Sequence, residues 1–296
     1  MKKACVMLAA VFSCFALFSA ELTNPNEVFV PRRAPDAPGR AELKVSHGNM
    51  LFVNCELNGK PCVMLFDTGA THTTFDLSFI KREFPDTPMR QVMDTGDTNV
   101  NQNPFVFNVG TLKVGEAEFA DFSAMAIDLG GLGRMADGKL VGVLGMNVIG
   151  ASRTLVSLGK SEVVFGLGEE AREGFKNPAV RRNDRFDFTI LLVSDCGKGN
   201  FPLIIDTGST WTFLQRDCGW PASTNEFSMT ARDINGASAL KPVVGEKGML
   251  NLRPHAEIEI SPLLVPQPLN RIGSDTLRKY DLLIEPGAVG FRKNEE

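Results

Sequence analysis

Residues 63–75 read VMLFDTGATHTTF and residues 202–213 read PLIIDTGSTWTF. In each stretch a short apolar run ends on an aspartate, Asp67 or Asp206, and a Thr-Gly pair follows at once. Short apolar runs bounded by turn residues predict buried strands, and glycine permits a sharp turn after the strand. Each aspartate is therefore predicted to lie on a tight turn at the end of a rigid, buried element.

The two stretches belong to an internal repeat. LFVNCELNGKPCVMLFDTGAT and FTILLVSDCGKGNFPLIIDTGST both read as strand, tight turn, apolar strand and Asp-Thr-Gly, and each is followed by an apolar-Gly element that contains Gly145 or Gly273. From residue 42 onward, short runs rich in Val, Ile, Phe and Leu alternate with turn residues and predict an all-β fold. The repeat predicts two similar halves with the same order of strands and turns.

Two such turns facing each other would have a specific chemistry. Two carboxyl groups a few ångströms apart cannot both ionise, so they share one proton. Such a pair can take a proton from water and give one to a peptide carbonyl or leaving amine. A facing pair of this kind can hydrolyse a peptide bond without a metal or a cofactor.

The repeated motif, LFDTGAT and IIDTGST with its apolar-Gly element, resembles the aspartic peptidases, the retropepsin-like and pepsin-like superfamily, over about residues 42–293. The resemblance implies a bilobal acid-protease-like fold of two fused retropepsin-like lobes, which are similar β-barrels related by a pseudo-two-fold axis. It also implies an aspartic endopeptidase whose catalytic residues are Asp67 and Asp206. It also implies that the threonines after the two aspartates interlock through their hydroxyl groups. The supporting residues it implies are Thr68, Gly69, Ala70, Thr71, Thr207, Gly208, Ser209, Thr210, Gly145 and Gly273.

A third Asp-Thr-Gly, at residues 94–96, is followed by a polar run and lacks an apolar-Gly element of its own. Its position suits the flap, the glycine-bearing hairpin that closes over substrate in this family. We expect a flap over residues 93–103 that contains Thr95 and Gly96, and a second over residues 232–238 that contains Asn235 and Gly236. Flap closure is expected to depend on glycine and backbone contacts, since the single tyrosine, Tyr280, lies outside both segments.

Two positions depart from the family pattern. Ser209 follows Asp206 by three residues, whereas Ala70 follows Asp67. A hydroxyl group at this position can stabilise a charged carboxylate, so we predict that Asp206 carries more of the negative charge and Asp67 more of the proton. Arg271 stands where an apolar residue is usual, and a displaced strand there would weaken the site. The alternative function is therefore a catalytically silent peptide- or protein-binding module of the same fold.

Four cysteines, Cys55, Cys62, Cys196 and Cys218, lie beyond the N-terminal segment. Asn58-Gly59 is a strong hairpin signal, and counting outward from it places Cys55 opposite Cys62. We expect disulfide bonds between Cys55 and Cys62 and, by elimination, between Cys196 and Cys218. Buried free thiols are the alternative.

The N-terminal residues predict export. A basic end, an uncharged apolar run and small residues before Glu21 are typical of a signal peptide over residues 1–20. A Pro-rich lead-in or short pro-segment at 21–40, an N-terminal lobe at 41–167, a linker at 168–185 and a C-terminal lobe at 186–296 complete the predicted organisation. The expected location is periplasmic or secreted, and lipoprotein anchoring is the alternative.

Composition limits the choice of partners. The net charge of −4 gives no electrostatic reason to expect nucleic acid or anionic lipid. With only three histidines, none of the cysteine spacings suits a zinc site. The expected partner is a peptide or unfolded protein bound to a monomer that is free of the membrane after signal cleavage.

Overall fold

The computed structural model describes residues 9–10, 29–45, 49–92, 104–130, 140–176, 180–181, 190–194, 201–233, 236–252, 256–267, 269–285 and 288–294. The predicted all-β fold is confirmed, because strands account for most of this part of the chain and helices are few and short. None of the helices in the described ranges has both the length and the apolar character needed to cross a membrane.

Ten strands from the first half of the chain and two from its C-terminal end form one sheet. The strands are β2 (Gly39–Val45), β3 (Leu51–Leu57), β4 (Lys60–Phe66), β5 (Thr74–Asp76), β6 (Met89–Gln91), β7 (Phe105–Val114), β8 (Ala117–Ile127), β9 (Leu140–Leu144), β10 (Thr154–Ser157), β11 (Glu162–Phe165), β24 (Tyr280–Glu285) and β25 (Ala288–Lys293). Because β7 pairs both with β8 and with β3, the path β3-β4-β9-β5-β8-β7 closes into a six-stranded barrel.

A second sheet is built from residues 180–272. Its strands are β12 (Val180–Arg181), β13 (Ile190–Ser194), β14 (Phe201–Ile205), β15 (Phe213–Gln215), β16 (Ala222–Glu226), β19 (Val243–Gly245), β20 (Gly248–Leu252), β21 (Ala256–Ile260), β22 (Leu263–Val265) and β23 (Arg271–Ile272). A separate small sheet contains β17 (Met229–Asp233) and β18 (Gly236–Leu240), beside which β1 (Ala9–Ala10), from the predicted signal peptide, pairs in parallel.

Among the described residues, three short α-helices follow strands: α1 (Leu77–Glu83), α2 (Met146–Ile149) and α3 (Ser274–Leu277). Single turns of 3-10 helix in the same part of the chain lie at Leu158–Lys160, Glu169–Arg172 and Arg216–Cys218. Helices α2 and α3 are the ones that touch the site described below, and each begins directly after the glycine of an apolar-Gly element.

The Asn58-Gly59 hairpin forms as the sequence predicts. Asn58 has φ 45° and Gly59 has φ 83°, the left-handed values that a two-residue hairpin turn requires. The register places Cys55 directly opposite Cys62. The positions counted outward from the turn are therefore confirmed.

The disulfide bond expected between Cys55 and Cys62 is wrong for this structure, where both residues are buried free thiols. Counted from the turn, this pair falls on a hydrogen-bonded rung of the ladder, where the side chains lie farther apart than on the alternate rungs. Burial raises the pKa of the Cys62 thiol to about 12. Cys196 lies outside the described residues, so its pairing with the buried Cys218 stays a prediction.

The C-terminal hairpin crosses between the two halves of the chain. Strand β24 pairs with β10 in antiparallel register, Thr154 opposite Ile284 and Ser157 opposite Asp281. Residues 280–293 thus extend the sheet of the first half, although the sequence assigns them to the second. The lead-in is also part of the structure, because Phe29 is buried and Gly39 begins strand β2.

Candidate active site

The first Asp-Thr-Gly turn is held at the end of a central strand. Strand β4 lies between β3 and β9, and its last residues are fully buried because apolar neighbours cover both faces. The N–H of Asp67 donates to Leu144 O on β9 at 3.1 Å, and Oδ1 of Asp67 accepts from the N–H of Gly69 at 2.7 Å. Asp67 has no exposed surface, so the turn fixes its carboxyl group inside the protein.

The second turn repeats this arrangement. Strand β14 pairs in parallel with β23, as β4 does with β9. The N–H of Asp206 donates to Ile272 O at 2.9 Å, and Oδ1 of Asp206 accepts from the N–H of Ser209 at 2.9 Å. Asp206 is 1% exposed. The two aspartates are therefore held by similar backbone hydrogen bonds on turns 139 residues apart.

The two turns are joined by reciprocal hydrogen bonds between their threonines. The N–H of Thr68 donates to Thr207 Oγ1 at 3.0 Å, and the N–H of Thr207 donates to Thr68 Oγ1 at 3.1 Å. The hydroxyl groups in turn donate across the junction, from Thr68 to Ile205 O at 2.8 Å and from Thr207 to Phe66 O at 2.9 Å. Four buried hydrogen bonds thus lock the two turns together with two-fold regularity.

The glycines let the two carboxyl groups approach each other. A Cβ atom added to Gly69 would lie 2.6 Å from Cγ of Asp206, and one added to Gly208 would lie 2.5 Å from Cγ of Asp67. Each carboxyl group therefore packs against the backbone of the opposite turn, where a side chain would overlap with it. The structure brings Asp67 and Asp206 together at the junction, in the arrangement that the sequence predicts for them.

Helices α2 and α3 support the turns from behind. The N–H of Met146 donates to Ala70 O at 2.7 Å, and the N–H of Ser274 donates to Ser209 O at 2.8 Å. A Cβ atom on Gly145 would lie 2.5 Å from the backbone of His72, and one on Gly273 would lie 2.3 Å from the backbone oxygen of Trp211. Both glycines are therefore needed for the close approach of helix and turn.

Thr71 and Thr210 occupy equivalent places in this support. The backbone oxygen of Thr71 accepts from the N–H of Asn147, and that of Thr210 accepts from the N–H of Asp275, both at 3.1 Å. The side chains of Asn147 and Asp275 also match, because Asn147 Oδ1 accepts from the hydroxyl of Thr73 and Asp275 Oδ1 from that of Thr212. The sequence analysis missed Asn147 and Asp275, although each lies two residues after a predicted glycine.

Arg271 is the residue that breaks the symmetry. Strand β23 is not displaced, since Arg271 lies opposite Ile204 and Ile272 opposite Ile205 in the parallel register. Nη1 of Arg271 donates to Oδ2 of Asp206 at 2.7 Å, with the two side chains 4% and 1% exposed. The strand displacement considered for this position does not occur, and Arg271 forms a buried ion pair with one of the two carboxyl groups.

Ser209 does not have the role that the sequence suggested. Its hydroxyl donates to the backbone oxygen of Trp211 at 2.8 Å, two residues along the chain, and so turns away from the carboxyl group of Asp206. Only the backbone N–H of Ser209 reaches Asp206. The stabilisation of charge on Asp206 comes from the guanidinium group of Arg271, which sequence analysis treated as a defect.

Burial dominates the proton affinity of both acids. It raises the pKa of Asp67 well above its usual range, and the neighbouring Asp206 raises it further. Burial also raises the pKa of Asp206, but Arg271 opposes that rise more strongly than any other group. Oδ2 of Asp67 receives no hydrogen bond from an N–H or hydroxyl group of the described residues, and the carboxyl group of Asp67 interacts with that of Asp206. The pair can satisfy this buried atom by holding one proton between the two acids.

His72 and Phe29 are further buried residues near the first turn. The rings lie edge to face with centroids 4.7 Å apart, and His72 Nδ1 is 3.0 Å from the hydroxyl oxygen of Thr71. Burial lowers the pKa of His72 to about 4. The backbone oxygen of Phe29 accepts from the side-chain amide of Asn147 at 2.6 Å. The lead-in is thereby attached to the support of the first turn.

The predicted flaps lie mostly outside the described residues. Thr95, Gly96 and Asn235 are not among them, and Gly236 is the first residue of strand β18. Strands β6 and β7, which flank the first predicted flap, pair in antiparallel register with Met89 opposite Phe107. Strands β17 and β18, which contain the two ends of the second predicted flap, also pair in antiparallel register. The function of both segments stays a prediction.

Comparison with known families agrees with the geometry of the first turn. Residues 53–148 match a family model described as aspartyl protease. The matched stretch contains Asp67 and Gly145 but ends before the second turn. A comparison with curated proteins finds no match. The family match supports the aspartic peptidase superfamily and a protease-type hydrolase.

Proposed function

We propose that the protein is an aspartic endopeptidase in which Asp67 and Asp206 act together on a water molecule and a peptide bond. The observation that carries this proposal is the junction of the two turns, where reciprocal threonine hydrogen bonds hold two buried carboxyl groups against each other. A purely structural turn has no need for two buried acids, because burying each one costs free energy. Perturbed acids of this kind are typical of catalytic sites.

The proposed reaction requires one proton on the pair. The ionised carboxylate accepts a proton from water as the water oxygen attacks the peptide carbonyl carbon, while the protonated carboxyl gives its proton to the carbonyl oxygen. The tetrahedral intermediate then collapses, the C–N bond breaks and the amine leaves with the proton taken from water. The remaining hydroxyl proton returns to the pair, which is restored for the next cycle.

The internal repeat supports a bilobal arrangement in which each half contributes one acid. The parallel strand pairs, the helices behind the turns and the matching roles of Asn147 and Asp275 all occur twice. This regularity favours two fused retropepsin-like lobes within one chain. A single chain would then contain a complete site as a monomer.

The proposed substrate is an extended peptide or an unfolded protein. A peptide in this conformation can pair with a strand edge through its main chain, which gives affinity with little dependence on sequence. Export by the N-terminal segment belongs to the same proposal, because an exported endopeptidase would meet unfolded or foreign polypeptides in that compartment.

The first prediction tests turnover. Purified protein lacking residues 1–20 is expected to cleave an unfolded protein between pH 3 and 7, and a statine-type inhibitor is expected to block cleavage. Asp67→Asn and Asp206→Asn should each lower kcat by at least about 100-fold, since removal of a positioned acid or base has effects of this order. Mass spectrometry of the fragments measures the cleavage.

The control is Asp86→Asn, which changes an exposed aspartate in a turn that belongs to neither motif. This variant is expected to retain full activity. The alternative function is a binding module that keeps the fold without turnover. Tight binding of peptides with no cleavage by any folded preparation would favour that alternative and reject the peptidase.

A further inference from the structure

The two halves of the site differ at one buried position. Val143 on β9 and Arg271 on β23 are equivalent, because each lies two residues before the glycine that precedes a supporting helix and each pairs with the strand that leads to an aspartate. Val143 is 1% exposed and packs in an apolar cluster with Leu65 and Ala70. Arg271 is equally buried but places its guanidinium group on Asp206. The two halves therefore differ in charge at this position, although their backbone arrangement is the same.

Both oxygens of Asp206 accept hydrogen bonds from donors that favour the anion. Oδ1 accepts from the N–H of Ser209 at 2.9 Å and Oδ2 accepts from Arg271 at 2.7 Å. Asp67 has the N–H of Gly69 on Oδ1, but its Oδ2 has no such donor among the described residues. An oxygen without a donor is the place where a proton can be added at the least cost.

We propose that Arg271 is a positioning residue which fixes the direction of proton transfer, so that Asp206 is the base towards water and Asp67 is the acid towards the carbonyl oxygen. This inference rests on the proposed peptidase function and adds to it. In a symmetric pair either acid can hold the proton. Here the permanent positive charge, in contact with only one acid, selects between the two arrangements.

The other ionisable groups near the turns leave this assignment unchanged. Among the described residues, Arg271 and then Asp67 are the ionisable groups with the largest effects on the pKa of Asp206. Other ionisable residues near the turns bond to threonine hydroxyl groups. His72 contacts the hydroxyl of Thr71, and Asp275 accepts a hydrogen bond from the hydroxyl of Thr212. Asp275 has a raised pKa because of its burial. Arg271 also lowers the proton affinity of Asp67, so both ionisations of the pair should lie lower with Arg271 than without it.

The second prediction tests this role through the pH dependence of kcat/KM. Arg271→Met keeps an unbranched apolar chain and removes the charge. Both midpoints of the bell-shaped profile are expected to move to higher pH by about 1–3 units, the usual effect of an adjacent opposite charge. Arg271→Lys keeps the charge and should shift the midpoints less. Val143→Ala disturbs the equivalent buried position and should leave both midpoints in place.

A second measurement does not depend on turnover. In protein labelled with ¹³C at the aspartate carboxyl carbon, the signal missing from Asp67→Asn identifies Asp67, and the signal missing from Asp206→Asn identifies Asp206. Nuclear magnetic resonance at increasing pH is expected to show Asp206 losing its proton before Asp67. Arg271→Met should move the Asp206 transition upward.

The outcomes separate the two proposals. Absence of cleavage by the wild-type protein would reject the peptidase, while the order of ionisation would still test the role of Arg271. Active protein in which Arg271→Met leaves both midpoints unchanged would overturn the role of Arg271 and leave the peptidase intact. If Arg271→Met does not fold, the wild-type titration decides, and ionisation of Asp67 before Asp206 would overturn the proposal.

Discussion

At the scale of single residues, the threonines of the two turns depend on buried hydrogen bonds to the opposite turn. Thr207 has no exposed surface, accepts from the N–H of Thr68 and donates to Phe66 O. Its hydroxyl group therefore satisfies two buried backbone groups that belong to the opposite turn. A buried polar group left without its partner costs about 1–3 kcal/mol.

The third prediction follows from these bonds. Thr207→Val keeps the shape of the side chain but removes the hydroxyl, and the free energy of unfolding is expected to fall by about 1–3 kcal/mol for each of the two buried groups. Thr207→Ser keeps the hydroxyl and loses one methyl group, at a cost of about 0.8 kcal/mol. Urea unfolding measures both variants. Equal losses in the two would show that the hydrogen bonds do not hold the turns together.

Sequence analysis identified residues at this scale where they form a local motif. Asp67, Asp206 and the adjacent Thr-Gly pairs stand out because the motif occurs in each half of the chain, although their contacts join turns 139 residues apart. Ser209 and Arg271 were misjudged because side-chain direction is set by tertiary contacts, and a serine hydroxyl can bond equally well to a nearby backbone oxygen. The asymmetry expected from Ser209 has its physical basis in Arg271.

At the scale of elements, the site depends on how closely a short helix approaches a turn. Gly145 has φ −98°, a value open to any residue, so the reason for glycine here is space. The nearest atoms to an added Cβ are backbone atoms of His72 and Thr73, which cannot rotate away. The strand, the turn and the helix must therefore separate to admit any side chain.

The fourth prediction compares two glycines. Gly145→Ala is expected to destabilise the protein by about 3 kcal/mol or more, at the upper end of overpacking effects, and to remove activity by moving the first turn. Gly59→Ala meets no atom within 4 Å but forces alanine to φ 83°, and should cost only about 1–2 kcal/mol. Thermal unfolding with a cleavage assay distinguishes them. A Gly145→Ala variant with wild-type stability would contradict the packing described for α2.

Strands and turns could be predicted where the signal lies in residues that are neighbours in the sequence. The Asn58-Gly59 hairpin could be expected from its turn residues and the apolar runs beside it. Asn147 was missed because a lone asparagine gives no signal, and only its position two residues after Gly145 matches that of Asp275. The pairing of the C-terminal hairpin with β10 was missed since such long-range pairing has no local marker.

At the scale of the whole molecule, the buried acids reduce stability at neutral pH. Burial raises the folded-state pKa of Asp67 well above its ordinary value of 3.8. The folded state therefore binds this proton more tightly than the unfolded state. The free energy of unfolding is then expected to fall as pH rises from about 4 through the raised folded-state pKa.

The fifth prediction isolates this effect. Asp67→Asn cannot ionise, and its amide can still donate a hydrogen bond to Asp206. The variant should match the wild type below about pH 4 and become more stable than it as pH rises, by at most about 1.4 kcal/mol per pH unit within the titrating range. Urea unfolding at several pH values measures the difference. A constant difference at all pH values would contradict the raised pKa, and Asp86→Asn should show none of this dependence.

The antiparallel pairing of β24 with β10 constrains the order in which the protein can be completed. The ribosome must synthesise everything before Tyr280 before the edge at Thr154–Ser157 can receive its neighbour. During that interval the nascent first half presents an open strand edge, a surface on which other polypeptides readily add. A chain whose synthesis paused before residue 280 would thus be exposed to aggregation until the C-terminal hairpin was made.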